Sequence, residues 1–213
     1  MTAILKVDTI QDTSGNNIIN ESSDTITIGA SGDTTNIIGT LQNNGSALNF
    51  ATVNGITMAD QWRLSANKAN IDTPATVFDS NLERIDTTGQ GTIGSAMSES
   101  SGIFTFPSTG IYSVSAFASF QKNADRRYCG LNILVTTNNS SYSNIATSWG
   151  HIKVVSSDDT YSNVAINSYI DVTDTANVKV KFSADSVNGD AITAIGNTSR
   201  NNTCFTFIRL GDT

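Results

Sequence analysis

Residues 100–120, SSGIFTFPSTGIYSVSAFASF, constrain the fold of this chain more than any other stretch. They read as two short strands joined by a Pro-Ser-Thr-Gly turn. Side chains alternate across a strand with period 2, so Ile103-Phe104-Thr105-Phe106 sets both Phe rings on one face. Pro107 fixes φ and Gly110 tolerates a positive φ, which together define a four-residue turn. A long strand opening Gly-Ile-Tyr then runs to Phe120, and a strand from Cys204 to Leu210 lies near the C-terminus.

The rest of the sequence is consistent with β structure. Of 213 residues, 38% are hydrophobic and 15% charged, both low for a cytosolic enzyme. Asn, Ser and Thr fill the gap at about a third of the chain, which suits strands joined by hydrated loops. Two prolines and sixteen glycines argue against low-complexity disorder. Ten strands are expected near 61–66, 76–79, 82–87, 103–106, 110–120, 128–136, 145–155, 162–172, 177–183 and 203–210, spaced by turn signals as in a sandwich. No sustained i, i+3, i+4, i+7 apolar pattern predicts a helix.

Ahead of these strands the chain changes character. Residues 1–20 form an extended segment in which Ile4, Leu5, Val7 and Ile10 are the apolar positions. Residues 21–60 carry short Ile-rich pieces separated by Gly or Asn, such as Thr25-Ile26-Thr27-Ile28 and Asn36-Ile37-Ile38. Strands this short bury too little to stand alone. They fit copies from several chains wrapped around one axis, or a stack of β rungs. The expected organisation is therefore 1–20, then a β stalk over 21–60, then a head over 61–213.

Several function classes are disfavoured. A net charge of −7 is unsuited to nucleic acid, whose binding leans on phosphate neutralisation. No run approaches eighteen apolar residues, so no membrane insertion is expected, and the N-terminus lacks the pattern of a secretory signal. The one histidine, His151, lies in an expected strand, and no nucleophile elbow, phosphate loop or dinucleotide fingerprint is present. Asp158/Asp159 and Asp171/Asp174 are the close acidic pairs of the head, and turn formation explains them better than hydrolysis. No enzyme and no cofactor is expected. Calcium is the one ion with a route, through Asp125, Asp158, Asp159, Asp185 and Asp190. Cys129 and Cys204 are expected as reduced, partly buried thiols, with a disulfide as the alternative.

Three segments carry a resemblance. Gly102-Ile103-Phe104-Thr105-Phe106-Pro107 with Gly110-Ile111-Tyr112, the hairpin Tyr169–Val172 to Val178–Phe182, and Cys204–Ile208 are similar to the tumour necrosis factor and complement-globular-head superfamily. That resemblance implies an all-β, ten-strand jelly-roll sandwich forming a homotrimer, without the collagen stalk, for no Gly-X-Y period occurs. Ile4–Gly15, Asp60-Gln61-Trp62-Arg63-Leu64 and Ser100–Pro107 resemble fibre-type structural proteins of marine tailed bacteriophages. This second resemblance implies a virion protein made in the host cytoplasm. Its N-terminus, including Ile4, Leu5, Val7 and Ile10, would attach to other virion proteins, and its head would face the host.

Two residue sets follow from the trimeric jelly roll. Tyr112, Val114, Phe120, Phe205 and Phe207 are expected at the subunit interface, where a separated protomer would expose them. Three connections, 121–127, 156–162 and 184–203, are expected together at the end far from the stalk. There Lys122, Asp125, Arg126, Arg127, Asp158, Asp159, Tyr161, Asn188, Asp190, Arg200 and Asn201 are candidates to touch a host-surface glycan or protein. The alternatives are a capsid decoration or head fibre with no specific receptor, and a glycan-depolymerising spike.

Overall fold

The computed structural model describes residues 55–213, together with the backbone of 42–43 and 46–47. The chain divides into two compact units, Met1–Ala51 and Thr52–Thr213. In the first, β1 (Gln42–Asn43) and β2 (Ser46–Ala47) form a small antiparallel hairpin in the register Gln42↔Ala47. The expected attachment positions Ile4, Leu5, Val7 and Ile10, and most of the expected stalk, lie outside the described residues.

The second unit is all β. Its strands are β3 (Ala59–Leu64), β4 (Lys68–Ile71), β5 (Thr76–Val77), β6 (Leu82–Arg84), β7 (Ser98–Ser100), β8 (Ile103–Thr105) and β9 (Gly110–Lys122). They continue with β10 (Arg126–Thr136), β11 (Ser143–Ile152), β12 (Thr160–Val172), β13 (Lys179–Ser186), β14 (Ile192–Ala194) and β15 (Thr203–Gly211). One antiparallel sheet has six strands in the order β11-β10-β13-β8-β7, with β5 on β13. The other has seven in the order β4-β14-β9-β15-β3-β6, with β12 on β9. The two pack face to face as a jelly-roll sandwich. All ten expected strands are present, and three short ones are added: β4, β7 and β14. The head also starts earlier than residue 61, because Met58 is a core residue and β3 begins at Ala59.

The turn at 107–110 shows how sequence sets the architecture. Gly110 has φ +139, and a Cβ there would meet the Gly211 carbonyl at 2.4 Å, so only glycine admits the last strand so close. Tyr112, the aromatic opening β9, turns its hydroxyl back and donates to the Ser108 carbonyl at 2.9 Å. That bond lets a phenol sit in the core without a desolvation penalty.

The core is aromatic. Phe182 of the six-stranded sheet stacks on Phe205 of the seven-stranded sheet, with ring centroids 4.2 Å apart and planes at 20°. Phe104 meets Phe182, Phe205 and Phe207, and Trp62 packs edge-on against Phe104. Each fully buried ring contributes about 1.5–3 kcal/mol from area alone.

The expected subunit-interface set is corrected here. Tyr112, Val114, Phe120, Phe205 and Phe207 are all 0% exposed within a single chain. They lie on the faces of β9 and β15 that point between the sheets, so the protomer's own second sheet covers them. The opposite faces of the same strands are the ones that look outward.

Candidate functional site

Three surfaces of the head carry outward-facing side chains. Each is set by the strand register beneath it.

The first is the far end. Ala59 pairs near Ile208, and Gly110 faces Val172, so the first and last strands of the head meet at one end. Lys122 faces Thr160 at the other, the end that carries the shorter connections 123–125, 153–159 and 187–191 within or beside the expected 121–127, 156–162 and 184–203. These loops are tied to one another. Lys153 Nζ bonds Asp125 Oδ2 at 2.6 Å, and Val154 N–H donates to Asp125 Oδ1 at 2.6 Å. The Lys153 hydrogen bond, then that of Val154, holds the Asp125 carboxyl below its usual range. Arg126, almost buried, reaches Asp190 at 2.5 Å, and Lys122 donates to the Ala191 carbonyl at 2.6 Å. Lys122, Asp125, Arg126 and Asp190 are therefore occupied in joining loops. Arg127, Asp158, Asp159, Asn188 and Tyr161 remain exposed there.

Arg200 and Asn201 do not belong to this group. The connection 184–203 is not one loop, since β14 interrupts it and pairs with β9 at Gln121 and Phe120. The segment after β14 runs back over β3, where Asn201 Nδ2 donates to Gln61 Oε1 at 2.5 Å. The acidic positions also separate: Asp125 and Asp190 face cations, and Asp185 lies on a sheet face. Asp174 caps its own turn, accepting the Ala176 N–H at 2.8 Å.

The second surface is the outward face of the seven-stranded sheet. Register places Asn167, Ser115, Thr206 and Gln61 in one row across β12, β9, β15 and β3. Ala165, Phe117 and Cys204 form the next row. Mostly small side chains leave a trough of about 320 Å³ over these rows. Tyr161, Tyr169 and Leu210 flank it at 60%, 68% and 55% exposure. Cys204 lines the trough, whereas Cys129 points into the core from the other sheet; both thiols are free, and burial pushes each up.

The third is the outward face of the six-stranded sheet. There Trp149, Gly130 and Asp185 stand in one row across β11, β10 and β13, and Tyr128 lies two positions along β10. Trp149, Tyr128 and Asp185 line a cleft of about 330 Å³. The sequence assigns Trp149 no role; His151, two residues on, is exposed on the same strand. The signal was available in the WGH and CGL tripeptides, but without register nothing aligns Trp149 with Gly130.

No family model and no curated protein sequence matches the chain. Among solved structures, Eiger TNF from S. frugiperda superposes with a TM-score of 0.52 at 10% identity, over 74% of this chain and 95% of that one. Murine APRIL (the pH 8.0 structure) gives 0.46 at 12% identity, over 72% of this chain and 98% of that one. The head is a TNF-like jelly roll. At such identity the likeness concerns the fold, and the three outward surfaces of this jelly roll carry its own side chains.

Proposed function

We propose that the chain is a bacteriophage virion structural protein. It is a homotrimeric fibre, held to other virion proteins by its N-terminus and presenting the TNF-like head for adhesion to a host-surface glycan or protein. The observation that carries this reading is the outward face of the seven-stranded sheet. Small, weakly polar side chains there are framed by Tyr161, Tyr169 and Leu210, all more than half exposed in a lone chain. A patch of that kind on a sheet marks an association surface, and like surfaces meeting around a closed axis give a symmetric oligomer. The resemblances in the sequence supply the threefold axis, the virion and the N-terminal anchor. Catalysis and nucleic-acid binding have no part in the proposal.

Light scattering of the full-length protein without denaturant tests it. A mass three times 22.5 kDa supports the trimeric fibre; a monomer overturns it. A capsid decoration without a receptor is the second reading. It is favoured by the pairing of Asp125 with Lys153 and of Arg126 with Asp190, which leaves fewer free charges at the tip.

A further inference from the structure

Trp149 is 65% exposed on the edge strand β11, where it heads a row that crosses to β10 and β13. The position between it and Asp185 is a glycine. A Cβ at Gly130 would come within 2.0 Å of Asp185 Oδ1 and 3.1 Å of Trp149 Cδ1. The Asp185 carboxylate therefore lies over Gly130, in the space any other side chain would take, with the indole edge beside it. Tyr128 borders the same cleft, its hydroxyl 3.5 Å from Thr73 Oγ1.

The carboxylate is held in place from beneath. Asn132 Nδ2 donates to Asp185 Oδ1 at 3.3 Å, and Asn132 is itself only 5% exposed. Its Oδ1 accepts from Thr147 Oγ1 at 2.7 Å, which fixes the orientation of the amide. Asp185 has no ion-pair partner among the described residues, and its Oδ2 has no protein donor there. An oriented acceptor thus stands free beside two aromatic rings.

The matching ligand has a face of weakly polarised C–H bonds and a rim of hydroxyl donors. C–H bonds carry partial positive charge that suits the negative face of an indole, and hydroxyls donate strongly to a carboxylate. Sites for small molecules commonly combine an apolar wall with a few fixed polar groups. Asp185 and the net charge of −7 repel an acidic sugar. We infer that the cleft between Trp149, Tyr128 and Asp185 binds the ring of a neutral pyranose. The biological role of this site rests on the adhesion reading above.

The test titrates full-length protein with the methyl glycosides of glucose, galactose, mannose and N-acetylglucosamine, following tryptophan emission. Of the two tryptophans, Trp62 is tied to Asp60 at 3.1 Å and packed on Phe104, so a Trp62→Phe background isolates Trp149. At least one glycoside is expected to saturate with a dissociation constant of about 1 mM. Trp149→Ala should abolish the response in ligand-observed NMR, and Asp185→Asn should weaken binding about tenfold. Gly130→Ala should displace the Asp185 carboxylate and weaken binding while circular dichroism stays unchanged. The inference is overturned if no glycoside binds at about 100 mM, or if Trp149→Ala binds as the parent does. It is overturned equally if tetramethylammonium binds in place of the glycosides, or if acrylamide fails to quench Trp149 in the native assembly because another copy covers it. Failure here with a trimeric mass leaves the fibre reading standing; glycoside binding by a monomer does the reverse.

Discussion

Arg63 Nε donates to Glu83 Oε1 at 2.8 Å while none of the arginine side chain remains in water. The same guanidinium reaches Asp86 at 2.6 Å, Thr87 Oγ1 at 2.9 Å, Gln90 Oε1 at 3.1 Å and the Thr198 carbonyl. One planar fork on β3 thereby fastens two separate surface segments, 83–90 and 196–199, over the outward face of the seven-stranded sheet.

Arg63→Met should therefore lower stability by about 3 kcal/mol, read from the urea midpoint. Removing one member of a buried ion pair leaves the other without compensation. The lower end of the usual range applies because Asp86 is 78% exposed and keeps its hydration. Arg63→Lys should recover only part of the loss, since an ammonium does not reproduce the five-donor geometry. A midpoint unchanged by either substitution contradicts the role given to Arg63.

Gly102 and Gly189 separate backbone strain from collision. Both have positive φ, +80 and +75, but only Gly102 faces backbone: a Cβ there meets the Phe78 carbonyl at 2.4 Å and Asp79 Cα at 2.9 Å. Gly189 has nothing within 4 Å. Gly102→Ala should lower the melting temperature by clearly more than Gly189→Ala does, the latter reflecting a conformational penalty of about 1 kcal/mol. Equal losses would show that the close approach of 102 to 78–79 does not restrain the fold.

The tie between Asp125 and Lys153 has a pH signature. The folded carboxyl titrates below 3.8, chiefly through the Lys153 hydrogen bond. A depressed folded pKa means the contribution is fully present above the unfolded value and disappears as pH falls through the folded one. Carboxyl NMR should place the Asp125 midpoint below 3.8. Lys153→Ala should move it up but not fully to the unfolded value, because the Val154 N–H still donates. High salt should shrink the charge contributions of Lys153 and Arg126 and leave the Val154 hydrogen bond.

Cys204 reports on the trough. Its thiol is pushed above 9.0 by burial, so little thiolate exists near neutrality and alkylation should be slow. Ala165→Arg places a bulky charge on the exposed neighbouring row without touching the core. In the proposed trimer this variant should dissociate, by scattering, and its Cys204 should alkylate faster than in the parent. Unfolded, non-reduced protein should show two free thiols per chain.

Strand positions were legible because period-2 patterning and the Pro107/Gly110 turn act locally. Which face of a strand is core was not. β9 carries Phe117 on one face and Phe120 on the other, and only pairing with β12 and β15 decides that Phe120 is covered within the chain. The short strand β4 was missed because Asn70 sits inside it with φ 59, a conformation associated with turns. β14 was missed because three residues in a polar connection give no alternation to detect. Arg63 and Trp149 share a different obstacle. Their partners lie 20 to 135 positions away for Arg63, and for Trp149 they depend on two independent registers.

The head begins and finishes its sheet at the same pole, where Ala59 and Gly211 lie near Gly110, so the opposite pole holds only connections between strands of the head. Connections there close over strands that are already paired, and doubling the length of a flexible loop costs only about 0.6 kcal/mol. Residues 155–159, which carry neither the Lys153–Asp125 nor the Arg126–Asp190 pair, are consequently where replacement by a foreign peptide should cost least. A graft there changes what the tip displays while leaving the aromatic stack of Phe182 and Phe205 as it is.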